Sequence, residues 1–264
     1  MIKFLKEEFK EFTLLLKEIP SLLLVTFILA IVLMNLLANK SIDLNTPYVA
    51  LDCGIFVSWI TFIIMDILVQ HFGPKAATEV SILSIVSSLI ISLIFYLISI
   101  IPGTWSQAYV PGSEETINSA LNGTFASSWY VILGSTAAFI VSSLVNNFSN
   151  YAIGFAFKKK PDSKIAYFSR SYISTAIGQF VDNFVFAYLV SHFFFGWNMI
   201  QCVTCSLIGM GIELLLEVIF SYLGYKITQR WKTKNIGNSY FEYKNNLKLE
   251  RLKENWHDRK REDA

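Results

Sequence analysis

Six runs of mostly apolar residues, separated by short polar stretches, organise this chain of 264 residues. They fall at 20–38, 48–72, 78–101, 128–157, 171–196 and 199–228. About 20 apolar residues cross the hydrocarbon core of a bilayer as a helix. Inside lipid the backbone must satisfy its own hydrogen bonds, and long apolar runs do so as helices. The expected fold is all-α: a polytopic membrane protein with six transmembrane helices over 20–230. The fourth run carries Ser142, Ser143, Asn146, Asn147, Ser149 and Asn150, yet its apolar flanks at 129–138 and 151–157 keep it in the set. Three runs precede the long connection 102–127 and three follow it, so two inverted three-helix halves are expected.

The ends follow other patterns. In 1–19, Ile2, Leu5, Phe9, Phe12 and Leu16 recur at helical spacing opposite Lys and Glu, as in an amphipathic helix lying on a membrane surface. Glu7, Glu8 and Glu11 interrupt that stretch and speak against a cleavable signal peptide. Residues 231–264 read as a charged tail, with a solvated helix from 240 onward. The connection 102–127, with Pro102, Gly103, Pro111, Gly112 and Gly123, reads as an external loop.

Polar positions inside the runs are not scattered. Asp52, Trp59 and Asp66 recur every seven residues, with Gln70 one turn further. Ser142, Asn146 and Asn150 recur every four, and Ser171, Thr175, Gln179, Asp182 and Phe186 line one stripe of the fifth run. Ser206, Gly209, Glu213, Glu217 and Gly224 do the same in the sixth. Such spacings place each set on one helix face. At about 1.5 Å per residue, Asp182 lies about 18 Å from the inner end of its run, with Glu213 and Asn146 at similar depth. Asp66, Gln70, Asn150 and Glu217 fall nearer the inner surface, beside Thr175. An acid at the centre of a membrane helix costs about 2.5–3.5 kcal/mol when it faces lipid. The acids must therefore face one another, water or a solute. Polar groups from several helices converging near the midplane describe a transport site, whereas Ser142, Ser143 and Ser206 read as contacts between helices.

Composition agrees. Hydrophobic residues make up 53% and charged residues only 16%, well below the usual quarter for soluble domains. Lys3, Lys6, Lys10 and Lys17, Lys75, and Lys158, Lys159, Lys160, Lys164 and Arg170 fall on one side of the bundle with the basic tail, which places both termini in the cytoplasm. Cys53, Cys202 and Cys205 suggest neither a disulfide framework nor a metal site. GxSxG, HExxH and GxxxxGK[ST] patterns are absent, so an enzyme is not expected. No cofactor and no nucleic-acid partner are implied.

With these residues in view, the chain resembles the VUT family, also called the queuosine-precursor transporter family, over about residues 24–230. MNLLANK at 34–40 is similar to the family's Asn-rich end of the first span. MDILVQHFGPKAA at 65–77 is similar to its Asp followed by an FG-x-K-A turn. SRSYISTAIGQFVDNFVF at 169–186 is similar to its Arg, Ser-Thr, Gly-Gln and Asp signature. Gln70 stands where many members have Glu, and 56–58 lacks a proline common there.

The resemblance implies a transporter in the cytoplasmic membrane of a prokaryote. It would import 7-cyano-7-deazaguanine or 7-aminomethyl-7-deazaguanine; a secondary transporter is expected, with protons one candidate coupling ion and both the driving ion and a homo-oligomer left open. Asn35, Lys75 and Arg170 enter as candidates by position in its motifs. The chemistry agrees: a carboxylate accepts the adjacent N–H and amino groups of a guanine-like edge, and an amide serves the carbonyl. Substrate-binding candidates are Asp182, Gln179, Asp66, Asn146, Asn150, Glu213, Thr175, Asn35 and Trp59, with Trp59 or Phe186 stacking on the ring. Coupling or gating candidates are Asp66, Glu217, Arg170 and Lys75. The other reading is the substrate-binding membrane subunit of an ATP-driven vitamin or nucleobase importer. It is disfavoured because Met34 follows Ala30 by four residues in the first span, leaving no small-residue docking face.

Overall fold

The computed structural model describes residues 2–262 except 43–45, 47, 50, 106–111, 127–128, 159–160 and 162. Pro111, Lys159 and Lys160 lie outside the described residues. Helix α1 (Ile2–Glu18) meets α2 (Ser21–Leu37) at a bend of 102°. Pro20 sits at that bend, where its missing N–H costs the following helix nothing. Strands β1 (Ser41–Ile42) and β2 (Leu51–Asp52) form a short antiparallel ladder before α3 (Ile55–Phe72). The turn into α4 (Pro74–Ser99) rests on Gly73, whose φ of +93° suits a residue without Cβ. Next come α5 (Glu114–Ala126) and α6 (Trp129–Gly154). Then α7 (Lys164–Phe186) continues through a π-helical turn, Ala187–His192, into the single turn α8 (Phe193–Phe195). Helices α9 (Met199–Thr233) and α10 (Asn238–Glu262) complete the chain.

Among the described residues five helical stretches are long and apolar enough to cross a membrane, and α2, with 17 residues, makes six when counted with its bent neighbour. The second apolar run becomes helix only at Ile55. Ahead of it Asp52 bends back to accept the Gly54 N–H at 2.7 Å, which holds the chain in a turn. The long connection contains α5, with Glu114 and Glu115 in its first turn where the helix dipole favours them. Phe125 of α5 stacks on Phe95 of α4, and the Trp105 indole donates to Asn122 at 2.8 Å, so this segment caps one end of the bundle.

At the other end α10 folds back onto α1 instead of standing free in solvent. Tyr240 is fully buried and donates to Glu11, and Arg251 pairs with Glu7 and Glu8. The two terminal helices thus share one end of the bundle, as an even number of crossings requires. On α1, Leu15 is buried while Phe4, Leu5 and Phe9 stay exposed, the asymmetry of a helix resting on an apolar phase.

Apolar rows face outward across the bundle, and polar side chains share the interior with an apolar core of Phe27, Phe62, Met65 and Leu68. Ile82, Val86, Ile90 and Leu93 on α4 and Leu215, Val218, Ile219 and Leu223 on α9 are exposed. Ser142, Asn146, Asn150, Ser174, Thr175, Gln179, Glu213 and Glu217 are buried. Exposed apolar rows around a polar axis suit a solvent of acyl chains.

Candidate functional site

The buried and half-buried acids sort into two layers along the axis. One turn of α9 separates them, because Glu213 belongs to one and Glu217, four residues on, to the other.

The layer nearer the α1 end is built on Asp66 of α3. Its Oδ1 accepts from Asn150 Nδ2 of α6 at 2.7 Å and lies 3.4 Å from Ser174 Oγ. Its Oδ2 meets Thr175 Oγ1 at 3.3 Å and, more closely, Ser171 Oγ. Ser171 Oγ also lies 2.5 Å from Glu217 Oε1. Arg170 Nε donates to both the backbone carbonyl and the side-chain oxygen of Asn150, each at 3.2 Å. Asp66, Asn150, Thr175, Glu217 and Arg170, far apart in sequence, are brought together here.

The second layer faces the α5 end. Ser142 Oγ donates to Asp182 Oδ1 at 2.6 Å, and Glu213 accepts from Ser58 Oγ and from Asn183 Nδ2 at 2.9 Å. Asp52, Ser58, Ser135, Asp182, Asn183 and Glu213 line a cavity of about 30 Å³, with Phe186 also in its wall. That is the space of one water molecule. Among the described residues neither Lys nor Arg lines it, so the cavity offers acceptors to a cation or to a neutral molecule rich in N–H groups.

Gln179 and Asn146 are fully buried, one turn from Asp182 on α7 and from Ser142 on α6 respectively. Both amide atoms of each side chain lack a hydrogen-bond partner, and Asn146 faces the Asp66 carboxylate without completing a bond to it. Most buried polar groups in folded proteins are paired, so four orphaned amide atoms in one region need a reason. Gly178 permits the close approach of α6 and α7 there. A Cβ at 178 would come within 2.9 Å of both Asn146 Cβ and Phe62 Cε1.

Three sequence candidates lie elsewhere. Trp59 stacks on Phe220 of α9 at 4.5 Å and lines a separate apolar groove with Ile60, Ile63 and Ile67. Asn35 bonds to Ser88 at 2.9 Å and accepts from Ser135, joining α2, α4 and α6 beside the cavity, not in its wall. Lys75 sits outside the polar axis, paired with Glu8 at 2.7 Å and Glu11 at 2.8 Å of α1. Conversely, Ser142 touches an acid directly, whereas Ser143 and Ser206 bond to carbonyls of their own helices. Ser58, Asn183 and Ser171 are site residues that the sequence singles out only weakly. Ser171 shares a stripe with Thr175 and Gln179, but a hydroxyl on a membrane helix reads first as helix-to-helix contact.

A family model described as "Putative vitamin uptake transporter" matches residues 52–229, about two-thirds of the chain. No curated protein and no solved structure matches the chain.

Proposed function

Because the chain belongs to the VUT family of membrane transporters, we propose that it imports a 7-deazaguanine precursor of queuosine along this polar axis. Asp182 and Glu213 accept the donor edge of the base, Gln179 and Asn146 serve its remaining polar atoms, and Phe186 supports the ring. The observation that carries the reading is the set of unpaired amide atoms on Gln179, one turn from Asp182, and on Asn146, which faces Asp66. A buried amide left unpaired costs about 1–3 kcal/mol, a cost that a hydrogen-bonding solute recovers. The absence of basic side chains from the cavity wall among the described residues favours a neutral or cationic solute over an anion.

The cavity of about 30 Å³ is too small for a ring; sites for ring-sized ligands are about 300 Å³ or more. Substrate therefore enters when the halves rock apart, as in alternating access. Basic residues at the α1 end orient that end to the cytoplasm of a prokaryotic cell. The test is uptake of labelled 7-cyano-7-deazaguanine by a strain that lacks its own synthesis and uptake of the precursor. Restored queuosine in its tRNA is the expected result. No uptake, or uptake only in the presence of a copurifying ATPase, overturns the reading.

A further inference from the structure

Ser171 Oγ lies within hydrogen-bond distance of Asp66 Oδ2 and of Glu217 Oε1. A serine hydroxyl has one proton to donate, and two ionised carboxylates would both require it. The contacts decide which acid is charged. Asp66 is approached by Asn150, Ser174 and Thr175 as well as Ser171. Glu217 meets Ser171 through Oε1 and also approaches Thr175 and the Asp66 carboxyl itself, but its buried Oε2 has no hydrogen-bond partner.

We propose that Glu217 carries a proton in the closed bundle and that Glu217, Ser171 and Asp66 form the proton site that drives transport. Glu217 Oε1–H donates to Ser171 Oγ, and Ser171 Oγ–H donates to ionised Asp66 Oδ2. Shifting both protons along the chain leaves Asp66 protonated and Glu217 charged, with no atom gained or lost. The role in transport rests on the function proposed above; the protonation of Glu217 does not.

The surroundings suit one mobile proton. Arg170 of α7 reaches Asp66 through Asn150 and balances its charge. Tyr167 of α7 packs at Gly224 of α9, Tyr172 bonds Ser221, and Glu213 lies one turn along α9. Helices α2 and α6 carry no charged side chain. Of the charged residues of α4, Lys75 pairs with Glu79 and with Glu11 of α1, and His71 on α3 bonds the Ile236 carbonyl.

The experiment has two arms. In the infrared spectrum of the purified protein near neutral pH, Glu217→Gln should remove a protonated-carboxyl band. Ser171→Ala should shift that band, and Asp66→Asn should retain it. A band set unchanged by both Glu217→Gln and Ser171→Ala overturns the proposal. In proteoliposomes, an inward acid gradient should raise wild-type uptake of labelled 7-cyano-7-deazaguanine several-fold and leave Glu217→Gln without that response. An equal response in both overturns the coupling. Failure of the wild type to take up any deazapurine sinks the substrate assignment, while the infrared arm still decides the proton.

Discussion

Asn150 of α6 donates to Asp66 of α3 across 2.7 Å, and Arg170 of α7 donates to the same Asn150. One amide thus fastens three helices around a buried carboxylate. Replacing it with Leu removes one donor from Asp66 and cuts the side-chain link from Arg170, which keeps the backbone carbonyl of residue 150. The expected loss is about 1–3 kcal/mol, read as a lower midpoint of thermal unfolding in detergent. An unchanged midpoint would show that the network bears no weight.

Gly178 sets the spacing of α6 and α7. With Asn146 and Phe62 at 2.9 Å from the position of a Cβ, Gly178→Ala must push the helices apart. Overpacking of this kind costs about 1–3 kcal/mol. The same unfolding assay should show the loss, and a neutral substitution would place the helix contact elsewhere.

Gln179 should behave in the opposite way. Its unpartnered amide destabilises the closed protein, so Gln179→Leu, of similar volume, should raise stability by about 1–2 kcal/mol. Uptake should fall in the same variant. A residue kept for ligand recognition trades stability for function in this manner. A variant that unfolds more readily would instead make Gln179 a structural residue.

Much of this arrangement is legible in the sequence, for identifiable reasons. Four-residue spacing on α6 and α7 is true helical spacing, so Asn146, Asn150, Thr175 and Gln179 share buried faces as their stripes predict. The heptad on α3 misleads. Asp52 lies outside the helix, and Trp59 and Asp66, about 20° apart on it, part company where α9 packs. There the short carboxylate reaches Ser171, and the indole reaches Phe220 on the groove side. Asn35 and Lys75 were motif positions, and a motif does not say whether a residue meets solute or holds helices together. The packing of α10 was hidden for another reason. Its burial rests on a few residues, Tyr240 and Leu247 among them, in an otherwise polar sequence without a continuous apolar stripe.

Acid should loosen the α1 end. The hydrogen bond from Lys75 holds the Glu8 carboxyl below its ordinary value of 4.5. A depressed carboxyl pKa contributes stability that is complete above the ordinary value and disappears as pH falls through the lower folded one. Protonated Glu8 weakens its pairs with Lys75 and Arg251, which tie α1 to α4 and α10. Spin labels at the exposed Leu5 and Leu252 should report a narrow distance distribution near neutral pH that broadens below about pH 4. A distribution independent of pH would remove Glu8 from the contact.

The most direct test is uptake of labelled 7-cyano-7-deazaguanine by cells carrying Asp182→Asn, matched to wild type for the amount of protein in the membrane. Loss of a charge-assisted hydrogen bond, about 1.5–3 kcal/mol, predicts a fall in uptake of roughly 10- to 100-fold. Uptake at the wild-type level would mean that the solute never meets this carboxyl.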